Sequence, residues 1–322
     1  MKSRLDSWLK DKKHIGIAGH VRPDGDSVGS TSALYAYICL YYPYIEVDYY
    51  LEEIPDSFNF IKATKEIKHS KVSDETLDLA IALDCGSYDR LGFAGDIFKE
   101  AKSLACIDHH ISNESFGDVN YIDPKSSSTC ELVYDLFAEN DLELRPITKE
   151  IAESLYMGIV HDTGVFQYPS TSPKTMNIAG KLMGTGIDFY KIINETFYEK
   201  TYTQTRLLGY GLETSKLYFD NKVITSVMDR DVFLKYKADK NDVEGVVANI
   251  LKCKGVEVAI FIYETEEKGE FKVSLRSKKY VDCNKIAGKF GGGGHKAAAG
   301  CSMSGTMEQV LDLILNEVKK EL

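Results

Sequence analysis

The sequence predicts an α/β fold, with an N-terminal, mainly parallel sheet and flanking helices joined by a helical linker to a smaller α+β domain. Three observations carry this expectation. Apolar runs of strand length alternate with helical patterns from residue 14 to about 187, the order that builds parallel sheets with crossover helices. A charged helical stretch follows over 188–216. The pattern then changes to alternating strands at 222–228, 256–263 and 271–277, the last two joined by a hairpin turn at 266–270. The expected domains are therefore 1–187, a linker at 188–216, and 217–322.

Within the first domain, Ile15-Gly16-Ile17-Ala18 reads as a buried strand, followed by a helix over 27–41. Residues 46–51, 77–83 and 103–107 are further strands, and 127–139, 148–160 and 173–183 are helices. Helical segments near 242–252, 282–289 and 306–320 complete the second domain. No apolar run reaches the roughly 18 residues of a membrane span, and the N-terminus runs straight into charged residues with no apolar leader. Seven scattered cysteines without CxxC pairs read as reduced thiols of a cytoplasmic protein, rather than a disulfide framework or a zinc ribbon. With 49 acidic residues against 39 basic, the net charge of −10 argues against wrapping long duplex nucleic acid. A small anionic ligand is compatible with it, where metal ions and local Arg, Lys and His supply positive charge.

Four segments then end an apolar element in Asp or His. In His20-Val21-Arg22-Pro23-Asp24-Gly25-Asp26-Ser27 a buried strand gives way to a helix, the place where ligands sit in open α/β sheets. A polar turn with Asp26 or Ser27 as N-cap is the plainer alternative, and His20 at the strand end favours a site. Asp84 ends the apolar run Ala80-Ile81-Ala82-Leu83, and Asp108-His109-His110 ends Leu104-Ala105-Cys106-Ile107. Asp162 lies at a helix end stopped by Gly164. Of the adjacent histidines, one is expected to ligate and the other to face substrate, with Asp108 orienting a ring. Hard carboxylates with a minority of imidazoles suit Mn²⁺ or Mg²⁺ in a two-metal clamp for phosphoryl chemistry.

The set HVRPDGDSVGS, LDCG, DHH and HDTG resembles the DHH phosphoesterase family. The resemblance implies a hydrolase with two divalent metal ions, Mn²⁺ first, with Mg²⁺ or Co²⁺ as alternatives. His20, Asp24 and Asp84 would hold one, and Asp26, Asp84, His109 and Asp162 the other, with Asp84 shared. Asp108 would support and His110 would face the scissile phosphate. His161, where the family often has a small residue or threonine, reads as a tolerated variable position. Arg90, in Tyr88-Asp89-Arg90-Leu91-Gly92, reads as a structural ion-pair partner.

The run Phe290-Gly291-Gly292-Gly293-Gly294-His295-Lys296 is the second strong signal. Consecutive glycines let backbone N–H groups approach an anion, and His295 and Lys296 add donors. A flexible linker is the plainer alternative, but such linkers seldom precede an Ala-rich strand. Arg276 offers a bidentate phosphate fork from an alternating strand. This half resembles the C-terminal domain of one DHH branch, which implies that Arg276, Gly292, Gly293, Gly294 and His295 bind substrate. Over roughly residues 14–304 the motifs resemble most closely family members that degrade short oligoribonucleotides and remove the 3′-phosphate of 3′-phosphoadenosine 5′-phosphate. The expected partner is short single-stranded RNA or a small nucleotide, with no membrane, and the resemblance implies a homodimer. The alternatives are a soluble phosphodiesterase of cyclic di-AMP or linear di-adenylate, and a nucleotide sensor without activity. The complete ligand set argues against the sensor. Phe166 and Tyr168 read either as base-stacking residues or as ordinary packing.

Overall fold

The computed structural model describes residues 3–72 and 75–322. Its contacts separate two compact units, Met1–Glu199 and Lys200–Leu322.

The first unit is built on five parallel strands: β1 (His14–Ala18), β2 (Glu46–Tyr50), β3 (Leu79–Leu83), β4 (Leu104–Asp108) and β5 (Val119–Ile122). Their spatial order is β2-β1-β3-β4-β5. The chain therefore leaves β1 in one direction to form β2 and returns across it to form β3, and ligands bind at such a reversal. The helices are α1 (Arg4–Leu9), α2 (Gly25–Tyr41), α3 (Phe93–Phe98), α4 (Thr129–Ala138), α5 (Lys149–Asp162), α6 (Pro173–Met183) and α7 (Phe189–Ile193), followed by a π-helical turn at Asn194–Tyr198.

The period of two along the strands sorts large from small side chains. Ile15, Ile17, Leu79, Ile81 and Leu83 enter the main core with α2, α4 and α5, whereas Ala18, Ala80 and Ala82 face a smaller core with Leu91, Ile97 and Phe98 around α3. Helix α2 is buried over most of its length, so it carries no amphipathic stripe and is recognised by apolar content alone. Two glycines let it approach α5 closely. A Cβ on Gly29 would stand 2.5 Å from the Ser154 carbonyl oxygen, and one on Gly158 would stand 2.8 Å from Asp26 Oδ1 of α2 and 2.2 Å from Cys130 Sγ of α4.

In the second unit α8 (Tyr202–Glu213) precedes β6 (Lys216–Tyr218), β7 (Val223–Met228), α9 (Arg230–Tyr236), α10 (Val246–Leu251), β8 (Val258–Glu264) and β9 (Glu270–Ser277). Helix α11 (Cys283–Gly288), β10 (Gly293–His295), β11 (Ala298–Ser304) and α12 (Met307–Glu321) complete it. The six strands run β10-β11-β9-β8-β7-β6, with only β7 and β8 parallel. Phe271, Val273 and Leu275 of β9 face a core shared with α11 and α12, while Ala259 and Phe261 of β8 face the opposite one. The two units divide inside the stretch 188–216: α7 packs on α5, and α8 packs on α10 and β7.

The contact between α2 and α5 generates a stability test. Gly29→Ala should destabilise the protein by about 1–3 kcal/mol, the cost of overpacking a close contact. Gly180→Ala, at an exposed position of α6 with nothing within 4 Å of the new Cβ, should be neutral or stabilise by up to about 1 kcal/mol. Urea unfolding of both variants measures the difference, and equal midpoints would show that the helices can part without cost.

Candidate metal centre

Three strand ends and two helix ends deliver the predicted carboxylates and imidazoles to one place. His20 follows β1, Asp84 follows β3, and His109 and His110 follow β4. Asp24 and Asp26 lie at the start of α2, and Asp162 is the last residue of α5. Asp24, not Asp26 or Ser27, is the N-cap of α2: its Oδ1 accepts from the N–H groups of Asp26 and Ser27, both at 3.1 Å. The cap and the candidate ligand are thus the same residue. His20 donates from Nδ1 to its neighbour's carbonyl, Val21 O, at 2.8 Å in the tautomer that leaves Nε2 as an acceptor. That Nε2 lies 3.7 Å from Asp24 Oδ1 and 3.5 Å from Asp84 Oδ2.

Asp84 occupies the centre. It is buried and adopts φ +58°, a left-handed backbone that turns its carboxylate away from the path of β3. Its Oδ2 faces His20, and its Oδ1 lies 3.7 Å from His109 Nε2 and accepts from Thr129 Oγ1 at 2.9 Å. His109 Nε2 is also 2.9 Å from Asp162 Oδ2 and 3.9 Å from Asp26 Oδ2. Asp26 is fully buried and accepts the N–H groups of Thr129 at 2.6 Å and Cys130 at 2.9 Å, so the N-terminus of α4 stabilises its charge.

The electrostatics follow from this crowding. Burial drives the Asp26 carboxyl well above the usual range, and Asp84 and Asp162 drive it further. Burial raises Asp162 as well, against the pull of His109. For the imidazoles burial acts downward but is overcome: Asp24 and Asp84 push His20 up to about 10, and Asp162, Asp26 and Asp84 push His109 up to about 10. Burial would also raise Asp24, yet His20 and the two capping N–H groups hold it down to about 2.

His20, Asp24 and Asp84 present ligand atoms within 4.8 Å of one another, and so do Asp26, His109 and Asp162. All the donors are carboxylate oxygens or imidazole nitrogens, a set that fits hard divalent cations. Asp84, His109 and His110 form a third such group, because the two histidines lie beyond β4 and both rings turn towards Asp84. His110 Nδ1, however, already donates to Asp108 Oδ1 at 2.7 Å, a bond that raises its pKa. Buried Asp108 also accepts from Asn113 Nδ2 at 2.6 Å and from the His109 N–H at 2.9 Å, so its carboxylate is held by His109, His110 and Asn113. Sequence patterns do not single out Thr129 and Asn113. Thr129 closes the hydroxyl run Ser126-Ser127-Ser128-Thr129, more hydroxyls than one helix cap needs, and that was the available signal. Asn113 offers no comparable one.

A fourth group, His14, Glu46 and Asp48, also has ligand atoms within 4.8 Å, but it lies at the amino end of β1. Asp48 is already paired with Lys68 and with Tyr50 OH at 2.8 Å. His161, read as a tolerated variable position, is a packed side chain. Its ring lies edge-on to Phe58 and Phe197, bonds Thr196 Oγ1 at 2.9 Å, and occupies the place of a Cβ on Gly25. Arg90, expected as an ion-pair partner, is exposed and makes no ion pair among the described residues. Its carbonyl instead accepts from Val21 N at 2.8 Å. Phe166 packs on Tyr156 in the core, whereas Tyr168 is exposed and covers Gly164.

In the second unit, part of the tetraglycine run forms β10 instead of a loop. Gly294 has φ +147° and a Cβ there would meet the Ala298 carbonyl oxygen at 2.5 Å, so this position is glycine by necessity. His295 pairs with Ala298, which pairs with Arg276. In-register neighbours share a face, so His295 and Arg276 flank a small alanine. Gly293, Gly300 and Ser274 form the adjacent row. Among the described residues, no helix is long and apolar enough to cross a membrane.

Residues 14–159 match the DHH family, N-terminal domain, and residues 220–322 match the DHHA1 domain. The chain is similar to the bifunctional oligoribonuclease and PAP phosphatase NrnA of Thermus thermophilus, with 30% identity over 96% of this chain and 90% of that relative. The protein of the same name from Bacillus subtilis is 28% identical over 94% of this chain and 93% of its own. A solved structure of an exopolyphosphatase-related protein from Bacteroides fragilis superposes with a TM-score of 0.88. It is 30% identical and covers 98% of this chain and 94% of that one.

Protonated imidazoles make cation uptake pH-dependent. With His20 and His109 near 10, a divalent cation must displace their protons, so apparent affinity should rise as pH climbs from about 6.5 towards 10. In the cation-free protein these raised values add stability that is complete below 6.5 and lost as pH rises through about 10. Calorimetric Mn²⁺ titrations in buffers of different ionisation enthalpy count the released protons. An affinity unchanged across this window would exclude both imidazoles as ligands.

Proposed function

Because the chain belongs to the DHH phosphoesterase family and is a hydrolase acting on phosphoester bonds, we propose that it degrades short oligoribonucleotides to mononucleotides and removes the 3′-phosphate of 3′-phosphoadenosine 5′-phosphate. The observation that carries the chemistry is the position of Asp84, whose two oxygens face His20 and His109 respectively. The relatives named bifunctional oligoribonuclease and PAP phosphatase, similar along nearly the whole chain, support the substrate class.

DHH phosphoesterases use divalent metals. On this reading His20, Asp24 and Asp84 hold one Mn²⁺, and Asp26, Asp84, His109 and Asp162 hold the other, with Mg²⁺ or Co²⁺ as substitutes. Such cations, when bound, acidify a water and neutralise charge on the phosphoryl oxygens. The protein's own groups do the rest. Asp108 ties down His110 Nδ1, leaving Nε2 as the atom that can donate to a phosphate oxygen or to the leaving alkoxide. The raised pKa of His110, caused first by that Asp108 bond, keeps the proton available. Arg276 and His295, with the backbone of Gly292, Gly293 and Gly294, bind substrate phosphate. A cytoplasmic homodimer is part of the same proposal.

Assays of 3′-phosphoadenosine 5′-phosphate, RNAs of a few nucleotides and cyclic di-AMP, run side by side with Mn²⁺, test the reading. Turnover of the first two should dominate. Preference for the cyclic substrate would replace the substrate assignment, and no turnover of any phosphate ester would overturn the function. Asp84→Ala should abolish turnover of every substrate. Arg276→Ala should raise KM by about 10–100-fold, the worth of a charged hydrogen-bonded contact, with a smaller effect on kcat.

A further inference from the structure

Asp26 and Asp84 come from different elements, the first turn of α2 and the end of β3, yet one residue outside the ligand set binds both of them. Thr129, the first residue of α4 and fully buried, donates its backbone N–H to Asp26 Oδ2 at 2.6 Å and its hydroxyl to Asp84 Oδ1 at 2.9 Å. These are the oxygens that face His109: Asp26 Oδ2 at 3.9 Å and Asp84 Oδ1 at 3.7 Å from its Nε2. A carboxylate oxygen has lone pairs for both a hydroxyl donor and a cation, so these bonds orient the oxygens without consuming them.

We propose that Thr129 is a positioning residue that fixes the His109-facing oxygens of Asp26 and Asp84, and thereby selectively builds the cation site formed by Asp26, Asp84, His109 and Asp162. The inference rests on the two-cation reading above. Its physical basis is repulsion: two buried carboxylates directed at one point part unless donors hold them. Asp26 has two such donors, the N–H groups of Thr129 and Cys130. The Asp84 oxygen on this side depends on the Thr129 hydroxyl, the one hydrogen bond to it among the described residues. His20, on the far side of Asp84, makes no hydrogen bond to Thr129. Losing the hydroxyl should therefore weaken one cation site and spare the other.

Thr129→Val removes the hydroxyl and keeps both the shape and the N–H bond to Asp26, and Thr129→Ser restores the hydroxyl. Mn²⁺ binding is followed by calorimetry and by the spin-resonance signature of a coupled Mn²⁺ pair, without substrate. Wild type should take up two Mn²⁺. Thr129→Val should keep one near wild-type affinity, bind the second about 10–100-fold more weakly, as expected for loss of an orienting contact, and lose the pair signal. Thr129→Ser should recover both. If Thr129→Val does not fold, Thr129→Ala is measured in its place, since it deletes the hydroxyl without adding bulk. Two Mn²⁺ at wild-type affinity in the hydroxyl-free variant, equal weakening of both sites, or no rescue by serine would overturn the inference and leave the two-cation reading standing. Fewer than two Mn²⁺ in the wild type would overturn that reading itself, and this inference with it.

Discussion

Four carboxylates and two imidazoles converge where the strand order reverses, and much of the first unit answers to the repulsion this creates. Asp24, Asp26, Asp84 and Asp162 approach one another through His20 and His109. Their charge is offset from the backbone as well as from side chains. The first turn of α2 donates to Asp24, and the first turn of α4 donates to Asp26. Placing two helix N-termini so close to one sheet edge requires α2, α4 and α5 to pack tightly. Gly29 and Gly158 supply the missing volume, so backbone packing and site chemistry are one problem.

The parts of this arrangement that were legible in sequence are those with a local signature. A buried run ending in Asp or His locates β1, β3, β4 and α5 and hands over His20, Asp84, Asp108, His109, His110 and Asp162. What escaped is non-local or short. Thr129 matters through contacts to Asp26 and Asp84, about a hundred and about forty-five residues earlier in the chain, and no window of periodicity can register such a pair. Strand β5 escaped because Val119 and Asn120 are exposed at the sheet edge, and α1 and α3 because six residues hold too few turns to show a period. In the second unit α9, with seven residues, and the edge strand β6, with three, escaped for the same reasons.

The glycine run shows the opposite case, in which composition misdirects. Four consecutive glycines read as a loop, yet three-residue β10 completes the sheet edge beside β11. Pairing places His295, Ala298 and Arg276 in one row, so the strand aligns the His295 imidazole and the Arg276 guanidinium by register, and the small residue between them leaves the row open. The neighbouring row of Gly293, Gly300 and Ser274 is smaller still. This face is shaped by the lack of side-chain volume as much as by the imidazole and guanidinium that border it.

Asp24 combines two duties in one carboxylate. Its Oδ1 starts α2 by accepting two backbone N–H groups, and the same carboxylate faces His20. The pool of amino acids tolerable at this position is therefore the overlap of two lists. Asparagine and serine would begin the helix equally well but carry no charge, and glutamate carries the charge on a stem too long to cap. Only aspartate lies in both lists, so a helix boundary that would normally drift among several residue types is locked to a single one.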